Sequence, residues 1–346
     1  MSKMKVAVIG CGSIAQHRHL PEYEANEDVV LTAVCDINED RVDEISKQYG
    51  AKAYTDYQLL LEKEDVDAVS VCLPNYLHAP VTNAALNAGC HVLCEKPMAT
   101  SKEEAESMIA AAEKNGKKLM IAHNQRFVPS HQKAKKLIAS GEIGKVYSFR
   151  TAFGHGGPEG WSVDGADSWF FKKDQAFIGA MGDLGVHKAD LLRYILGEEF
   201  VNVAGFVEGN AKENSTVDDN AVCILRSENG IIGTMAASWA YNTTEDNSTI
   251  IYGEKGTLRL EDHPHYSLVA EFNNGDVVNY QLGKIQSNDE GGQSNSHVID
   301  HFVNGAWKNG EILITGEEGM KSLEVILAAV QSSESGVVST KESVNK

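Results

Sequence analysis

A lysine, an aspartate and a histidine are the residues of this chain best suited to move a proton at an alcohol. Lys96 precedes Pro97, whose ring restricts the backbone and so aims the lysine side chain. An ammonium there could donate a hydrogen bond to a hydroxyl and stabilise its developing negative charge. Asp183 and His187 are spaced i, i+4, so a helix would place both on one face. The imidazole could accept a hydroxyl proton, and the carboxylate could orient the ring.

Each of these features also has a plain structural interpretation. A lysine at a turn is usually a surface residue, and an i, i+4 Asp/His pair is often a solvated ion pair. Three glycines near the pair, Gly179, Gly182 and Gly185, favour the chemical interpretation, because an exposed helix start rarely needs so little side-chain bulk. They predict a close approach of the backbone to a ligand.

A glycine-rich turn near the start of the chain is typical of a dinucleotide site. An apolar run at residues 6–9 predicts a buried strand, and Gly10 then permits a tight turn. Gly12 lets the backbone approach a pyrophosphate, and Ala15 keeps the next helix close to the strand. That helix is predicted to begin near Ser13 and to offer its N–H groups to the phosphate. The alternative is a turn that merely links a strand to a helix.

The end of the second predicted strand indicates which dinucleotide is bound. Residues 29–35 form an apolar run that ends at Asp36. A carboxylate there accepts hydrogen bonds from both hydroxyls of the adenosine ribose and repels a 2′-phosphate. The sequence therefore favours NAD over NADP because of Asp36. Arg41 lies nearby and could accommodate a 2′-phosphate, which keeps NADP as the less favoured alternative.

These residues need a sheet to position them, and the first third of the chain predicts one. Helical segments alternate with strands, which predicts a doubly wound parallel Rossmann sheet in residues 1–124. Ligands gather at the carboxyl ends of such strands, where Asp36, Asn75, Lys96 and Asn124 are expected. The predicted strands are residues 6–9, 29–35, 52–54, 68–73, 91–94 and 119–122.

Residues 125–346 predict a different unit, an α+β domain with a large, mainly antiparallel, open-faced sheet. Asn229-Gly230 and Asn274-Gly275 are strong hairpin signals, and residues 155–181 predict a long loop over a cleft. The final helix of this domain could pack back on the first domain. A small-residue run at 233–238 predicts a face flat enough for packing between subunits, in a homodimer or homotetramer. The predicted strands are residues 146–153, 200–209, 219–227, 231–240, 248–253, 257–261, 267–273 and 276–282.

Composition excludes several classes of partner. The 346 residues carry a formal charge of −18, which argues against nucleic acid or an anionic membrane surface. The six cysteines form no CxxC pair and are expected to be buried, reduced thiols, so a cytoplasmic protein is expected. His297 and His301 are spaced i, i+4 without a convincing further ligand, so no metal site is predicted.

A second group of polar and aromatic side chains is predicted, on weaker grounds, to contact a substrate. A sugar-like ring commonly meets an aromatic face and several hydrogen-bond donors. For Trp161 the packing of a long loop explains the residue equally well. The candidates are Asn124, Gln125, Arg126, His155 and Trp161.

Taken together, these motifs resemble the glucose–fructose oxidoreductase / inositol dehydrogenase / rhizopine catabolism (Gfo/Idh/MocA) family of NAD(P)-dependent oxidoreductases, over nearly the whole chain. The marks are Gly10-x-Gly12-x-x-Ala15, Pro74-Asn75-xx-His78, Glu95-Lys96-Pro97 and Gly182-Asp183-x-Gly185-x-His187. The resemblance implies a sheet domain that mediates dimers or tetramers and a catalytic set of Lys96, Asp183 and His187, with His187 as proton acceptor. Many members carry a further glycine at the place of Ile178. The cofactor-binding residues expected from the turn and the resemblance are Gly10, Cys11, Gly12, Ser13, Ile14, Asp36, Leu73, Pro74, Asn75, His78, Glu95 and Lys96.

Three functions compete at this point. The first is a dehydrogenase that transfers hydride between NAD and a secondary hydroxyl of a cyclic polyol or sugar, inositol-like or a glycoside. The second is a non-catalytic NAD- or sugar-sensing protein, which would be expected to lose Lys96 or His187. The third is an enzyme that uses bound NAD transiently to assist elimination or glycoside cleavage.

Overall fold

The alternating apolar segments of the first third form one parallel sheet. The computed structural model describes residues 2–283 and 295–340. The strands pair in the order β3-β2-β1-β4-β5-β6, which confirms the doubly wound Rossmann topology. Every residue of the fourth and sixth strands is buried; the sixth is apolar throughout, and the fourth is apolar except for Ser70, whose hydroxyl is paired with that of Tyr23. The strands are β1 (Met4–Ile9), β2 (Val29–Cys35), β3 (Lys52–Tyr54), β4 (Ala68–Val71), β5 (His91–Cys94) and β6 (Leu119–Ile121).

Helices alternate with the strands of this sheet. Two of them begin at a residue whose side chain caps the helix N-terminus. Asn38 caps one helix by accepting a hydrogen bond from the Arg41 N–H, and Ser101 caps another by accepting from the Glu104 N–H. The first helix differs from its prediction, since a π-helical turn at Ala15–His19 precedes its regular part. The helices are α1 (Leu20–Ala25), α2 (Glu39–Tyr49), α3 (Tyr57–Lys63), α4 (His78–Asn87) and α5 (Lys102–Asn115).

The second unit is built on a sheet of nine strands. Their order is β14-β13-β12-β11-β7-β10-β9-β8-β15, and every neighbouring pair is antiparallel except β7 with β10. The hairpins predicted at Asn229-Gly230 and Asn274-Gly275 connect β9 to β10 and β13 to β14. The elements are α6 (Pro129–Ala139), β7 (Val146–Gly154), α7 (Lys173–Ala176), α8 (Val186–Leu196), β8 (Phe200–Glu208), β9 (Asn220–Ser227), β10 (Ile232–Ser238), β11 (Thr249–Gly253), β12 (Gly256–Leu260), β13 (Leu268–Phe272), β14 (Val277–Tyr280), α9 (Val298–Trp307), α10 (Gly316–Ser335) and β15 (Ser339–Thr340).

The two faces of the large sheet differ. Alternate residues of β9 are buried, and their side chains join a core formed with α6, α8 and α10. The intervening residues of β9 point away from this core, and two of them are large and apolar: Val222 is 58% exposed and Ile224 59%. Phe206 of the neighbouring strand β8 is 74% exposed. The sheet is therefore covered on one face and open on the other, as predicted.

The last helices return to the first unit. Val298, Ile299 and Phe302 of α9 are buried in the core of the parallel sheet. The Ile121 N–H donates to the Ile314 carbonyl, which joins the edge strand β6 to the approach of α10. No helix among the described residues is both long and apolar enough to cross a bilayer.

Candidate active site

A cavity of about 560 Å³ lies at the carboxyl ends of the parallel strands, against the second sheet. Its walls come from both units, and one side is closed by residues 155–178 of the predicted loop. That loop contains short 3-10 turns and α7. The predicted site residues that line the cavity are Gly10, Gly12, Ser13, Ile14, Asp36, Leu73, Pro74, Asn75, Glu95, Lys96, Asn124, Gln125, His155, Trp161, Asp183 and His187.

The glycine-rich turn has the shape that a pyrophosphate needs. Gly10 has φ +96°, and a Cβ there would lie 2.1 Å from the Cys72 carbonyl oxygen, so only glycine fits. A Cβ on Gly12 would meet nothing within 4 Å, which leaves open space in front of the backbone. A phosphate can occupy that space at the start of the helix. The turn therefore fits the dinucleotide that its sequence predicts.

Asp36 lies at the end of β2 beside this turn. Its Oδ2 accepts a hydrogen bond of 2.8 Å from the Cys11 N–H and lies 3.5 Å from Arg41 Nη1. The Cys11 side chain itself is buried and does not line the cavity, so Cys11 contributes only its backbone here. Both the Asp36 carboxylate and the Arg41 guanidinium line the cavity at this point.

The long loop is attached to the glycine-rich turn. Ser13 Oγ donates to the Trp161 carbonyl at 2.9 Å and accepts from the Val163 N–H at 3.0 Å. Arg41 Nη2 donates to Asp164 at 2.6 Å. These contacts fix the loop over the cleft, as the sequence predicts.

Lys96 and Asp183 meet at the wall of the cavity. Lys96 Nζ donates to Asp183 Oδ1 at 2.8 Å and to the Asp183 carbonyl at 3.0 Å. The indole of Trp239, at the end of β10, donates to Asp183 Oδ2 at 3.2 Å. Asp183 lies in a π-helical turn, Met181–Gly185, which precedes α8. Lys96 and Asp183, which the sequence analysis grouped in one site, are therefore in direct contact, and the aspartate holds the lysine rather than the histidine.

His187 is partly exposed at the cavity, and no carboxylate of the described residues pairs with its ring. The prediction that Asp183 orients the imidazole is wrong, because the Asp183 carboxylate does not pair with the His187 ring in this structure. Its two carboxylate oxygens accept hydrogen bonds from Lys96 and Trp239 instead. Among the described residues, His187 Nδ1 has no hydrogen-bond partner. Burial, followed by the charges of Lys96, His123, Arg18 and Lys188, lowers the pKa of His187 well below its usual range. At neutral pH the imidazole is therefore neutral, so one of its ring nitrogens keeps a lone pair.

Glu95 is held as a carboxylate beside the lysine. His19 Nε2 lies 2.9 Å from Glu95 Oε1, and both side chains are buried. Burial alone would raise the pKa of Glu95, but the hydrogen bond and charge of His19 and the charge of Lys96 outweigh it and lower the pKa to about 2. Glu95 therefore carries a fixed negative charge at the cavity wall.

Besides Cys11, two predicted site residues lie outside the cavity lining. His78 is buried, with its ring nitrogens 2.7 and 2.8 Å from the carbonyl oxygens of Pro97 and Leu73, so it joins two strand ends. Arg126 donates twice to Asp190, at 2.8 and 2.7 Å, and once to Glu318 at 2.9 Å. The prediction that Arg126 contacts substrate is therefore wrong, because its donors are used in a buried ion-pair cluster.

The glycines around Asp183 have a packing role. A Cβ on Gly179 would lie 1.9 Å from the Asp218 carbonyl oxygen, and one on Gly185 would lie 2.5 Å from the Met181 sulfur. A Cβ on Gly182 would press on Ile178 at 3.1 Å. The prediction of close backbone approach to a ligand is wrong here, since each neighbour is protein.

The sequence reasoning missed several cavity residues. Arg18 follows Ile14 by four positions, a helical spacing that could have placed it on the same face. Phe153 lies with its ring 5.8 Å from that of His187. Asn247 comes from the segment before β11, where no sequence signal marks it. Within residues 2–283 and 295–340, no group of three or more His, Cys, Asp or Glu side chains could hold a metal ion.

Comparison with known proteins identifies both units. Residues 4–123 match an oxidoreductase family with an NAD-binding Rossmann fold, and residues 131–259 match the GFO/IDH/MocA C-terminal domain. D-glucoside 3-dehydrogenase of Escherichia coli (strain K12) is 29% identical over an alignment of 355 positions, gaps included, that covers 97% of this chain and 97% of that protein. Myo-inositol 2-dehydrogenase of Thermotoga maritima is 29% identical over 279 residues, 79% of this chain and 80% of that protein. A solved structure of levoglucosan dehydrogenase with NADH and levoglucosan is 25% identical with a TM-score of 0.82, and the match covers 97% of this chain and 99% of that one.

Proposed function

The chain belongs to the Gfo/Idh/MocA family of NAD-binding oxidoreductases, and from that premise we propose that it oxidises a secondary hydroxyl of a cyclic polyol or sugar, inositol-like or a glycoside. The observation that carries the proposal is the convergence of Lys96 and His187 on one cavity beside the glycine-rich turn. The relatives support the substrate class, since their names include a glucoside, an inositol and levoglucosan.

In the proposed reaction, two side chains act on the substrate oxygen. The neutral imidazole of His187 accepts the hydroxyl proton, which its lowered pKa permits at neutral pH. The Lys96 ammonium donates a hydrogen bond to the same oxygen and stabilises the negative charge that develops there. NAD, when bound, supplies the acceptor for the hydride.

Asp183 acts in this proposal as a positioning residue. Its carboxylate holds the Lys96 ammonium at 2.8 Å and is itself fixed by Trp239. Because Lys96 has three N–H donors, it can keep both bonds to Asp183 and still donate to a substrate.

The cofactor would be held along the lining already described. Gly10, Gly12, Ser13 and Ile14 would contact the pyrophosphate, and Asp36 would accept from the adenosine ribose. At the other end of the cavity the residues that would contact the nicotinamide portion are Leu73, Pro74, Asn75, Glu95 and Lys96.

We propose that residues 1–124 form the dinucleotide-binding domain and residues 125–346 the substrate-binding and oligomerisation domain, with the final helix, α10, packing back on the first domain through Leu323. The substrate ring would lie between Asn124, Gln125, His155 and Trp161, all of which line the cavity. A homodimer or homotetramer through the open face of the nine-stranded sheet would cover its exposed apolar residues.

A substrate screen tests the function. Inositols, hexoses and methyl glycosides are incubated with NAD or NADP, and the absorbance of the reduced cofactor is compared with the amount of ketone formed. One NADH per ketone is expected. Turnover of a glycoside without net NADH would instead favour NAD-assisted cleavage.

A lysine variant tests the site at the same time. Lys96→Ala should lower kcat by at least about two orders of magnitude, the usual effect of removing a positioned donor. Lys52→Ala, which removes an exposed lysine that is paired with Glu64 and does not line the cavity, is the matched control. Wild-type turnover in Lys96→Ala would overturn the assignment.

A further inference from the structure

We propose that Asn247 is a specificity residue that donates a hydrogen bond to a hydroxyl adjacent to the oxidised carbon, and that the buried Lys188 is its positioning residue. The substrate class is narrowed to rings with a vicinal diol. This inference rests on the proposed function of the same cavity.

Asn247 is a buried residue with an unused donor. It lines the cavity with His187 and Gln125, and only 8% of its surface is exposed. Among the described residues, its Nδ2 has no hydrogen-bond partner. A buried amide N–H without a partner is costly, so a ligand group that accepts from it is favoured.

The orientation of this amide is set by Gln125. Gln125 Nε2 donates to Asn247 Oδ1 at 3.4 Å, which leaves the Asn247 Nδ2 group for another partner. Gln125 Oε1 is also buried without a partner among the described residues. Both atoms are covered by protein in this structure, so in the proposed complex the two side-chain amides turn toward the cavity, where two neighbouring hydroxyls satisfy the donor and the acceptor.

The backbone at Asn247 is fixed from two sides. The Gly154 and Asp246 backbones exchange hydrogen bonds, and the Ala152 N–H donates to the Ser248 carbonyl. The Asn247 carbonyl lies between these contacts and accepts from Lys188 Nζ at 2.8 Å. The asparagine therefore cannot shift without breaking bonds to β7 and to Lys188.

Lys188 is an unusual residue for a protein interior. It is fully buried in α8, and none of the described residues forms an ion pair with it within 4.0 Å. Among the residues that the structure describes, its ammonium contacts the Asn247 carbonyl at 2.8 Å, Thr249 Oγ1 at 3.5 Å and the ring of Phe153 at 5.7 Å. Burying an ammonium without a carboxylate is costly, and an apolar side chain would fit the same space at lower cost.

The position of Lys188 on α8 suggests why a lysine is buried here. It directly follows His187 on α8, so one helix positions both the proton acceptor and the segment that carries Asn247. The bond from Lys188 fixes the distance between the reacting oxygen and the neighbouring hydroxyl. A substrate with only one hydroxyl in reach would leave Asn247 unpaired.

The test compares variants and substrates with the complete protein. Asn247→Leu removes the donor at similar volume, Lys188→Met removes the ammonium, and Asn279→Leu on exposed β14 is the control. The probes are myo-inositol, methyl β-D-glucopyranoside and its 2-deoxy and 4-deoxy analogues. Dissociation constants are measured calorimetrically with NADH bound, and kcat/KM is measured with NAD. Melting temperatures establish that each variant is folded, and Lys188→Gln replaces Lys188→Met if the latter is not.

The expected result is a loss of affinity of about tenfold in Asn247→Leu, the effect of one lost hydrogen bond. Lys188→Met should show a similar loss of affinity. The double variant Asn247→Leu/Lys188→Met should bind the probe as tightly as each single variant, because both changes remove the same hydrogen bond. One deoxy analogue should bind wild type and Asn247→Leu equally, because it lacks the contacted hydroxyl.

The outcomes separate this inference from the function. If wild type oxidises a probe and Asn247→Leu binds it unchanged, the inference is overturned and the function stands. If the probes bind without being oxidised and the variants lose affinity, the function fails and the subsite is supported. If no probe binds or reacts, both are overturned.

Discussion

The Lys96 ammonium lies 2.8 Å from Asp183 Oδ1, although 87 positions of the chain separate the two residues. The lysine follows the fifth parallel strand, and the aspartate precedes the helix that covers the second sheet. The contact therefore joins the two units at the wall of the cavity. It also gives the aspartate a role at the lysine, which spacing along a helix did not suggest.

Replacing Asp183 should lower turnover more than it changes cofactor binding. Asp183→Asn removes the charge that holds the Lys96 ammonium, and we expect kcat to fall by about 10- to 100-fold, since a displaced donor stabilises the reacting oxygen poorly. The KM for NAD should change little. Steady-state kinetics check this, with Asp167→Asn, another aspartate of the cavity lining, as control. Equal losses in both variants would contradict the assigned role.

The pH dependence of kcat/KM should report a histidine with a lowered pKa. Burial and nearby cations favour the neutral form of His187. The active base is therefore lost only as the pH falls through this lowered pKa, and the acid limb should lie below pH 6.5. Arg18→Gln removes one of the cations and should move the limb to higher pH.

The control for that profile is Arg226→Gln, on the exposed side of β9. It should leave the limb unmoved. An acid limb above pH 6.5 in wild type would show that another group is the base.

Residue patterns predicted the fold well because burial leaves a periodic signal. Unbroken apolar runs such as that of β6 indicated the parallel strands, and the Asn-Gly pairs indicated two hairpins of the second sheet. The carboxyl ends of neighbouring parallel strands share an edge, so Asp36, Asn75 and Lys96 could be grouped without coordinates.

Tertiary partners could not be predicted in this way. An i, i+4 spacing places Asp183 and His187 on one face of a helix. It does not reveal that Lys96 and Trp239 donate hydrogen bonds to the Asp183 carboxylate. Arg126 follows a strand end, as a ligand-binding residue often does, yet its partner Asp190 comes from a distant helix. Such pairings depend on how the two units pack, which no local pattern encodes.

The preference for NAD should depend on Asp36. Asp36→Ser removes the acceptor for the ribose hydroxyls and should raise the KM for NAD about tenfold. It also removes the charge that repels a 2′-phosphate, while Arg41 remains within reach of the same place. The ratio of kcat/KM for NADP to that for NAD should rise. Asp43→Ser, on the exposed side of α2, should leave this ratio unchanged.

Arg126 should matter for stability and little for substrate. Arg126→Met leaves the buried Asp190 carboxylate without its bidentate partner and should cost about 3–5 kcal/mol in the free energy of unfolding. The KM of the folded variant should stay within about twofold of wild type, because Arg126 does not line the cavity. Urea unfolding and kinetics test both parts. Lys321→Met, which breaks partly exposed ion pairs, should cost less than about 1 kcal/mol.

The open face of the large sheet should be the contact between subunits. Phe206 of β8 lies opposite Val222 of β9, and Ile224 lies two residues further along on the same face. These side chains form an apolar surface that water covers poorly, so a second copy of the sheet is the expected cover. Ile224→Glu places a charge within that surface and should convert the oligomer to monomers in sedimentation equilibrium. Leu59→Glu, a change at an exposed leucine of α3, should leave the mass unchanged. A monomeric wild type at micromolar concentration would contradict the assignment, because the apolar face would then remain open in the functional protein.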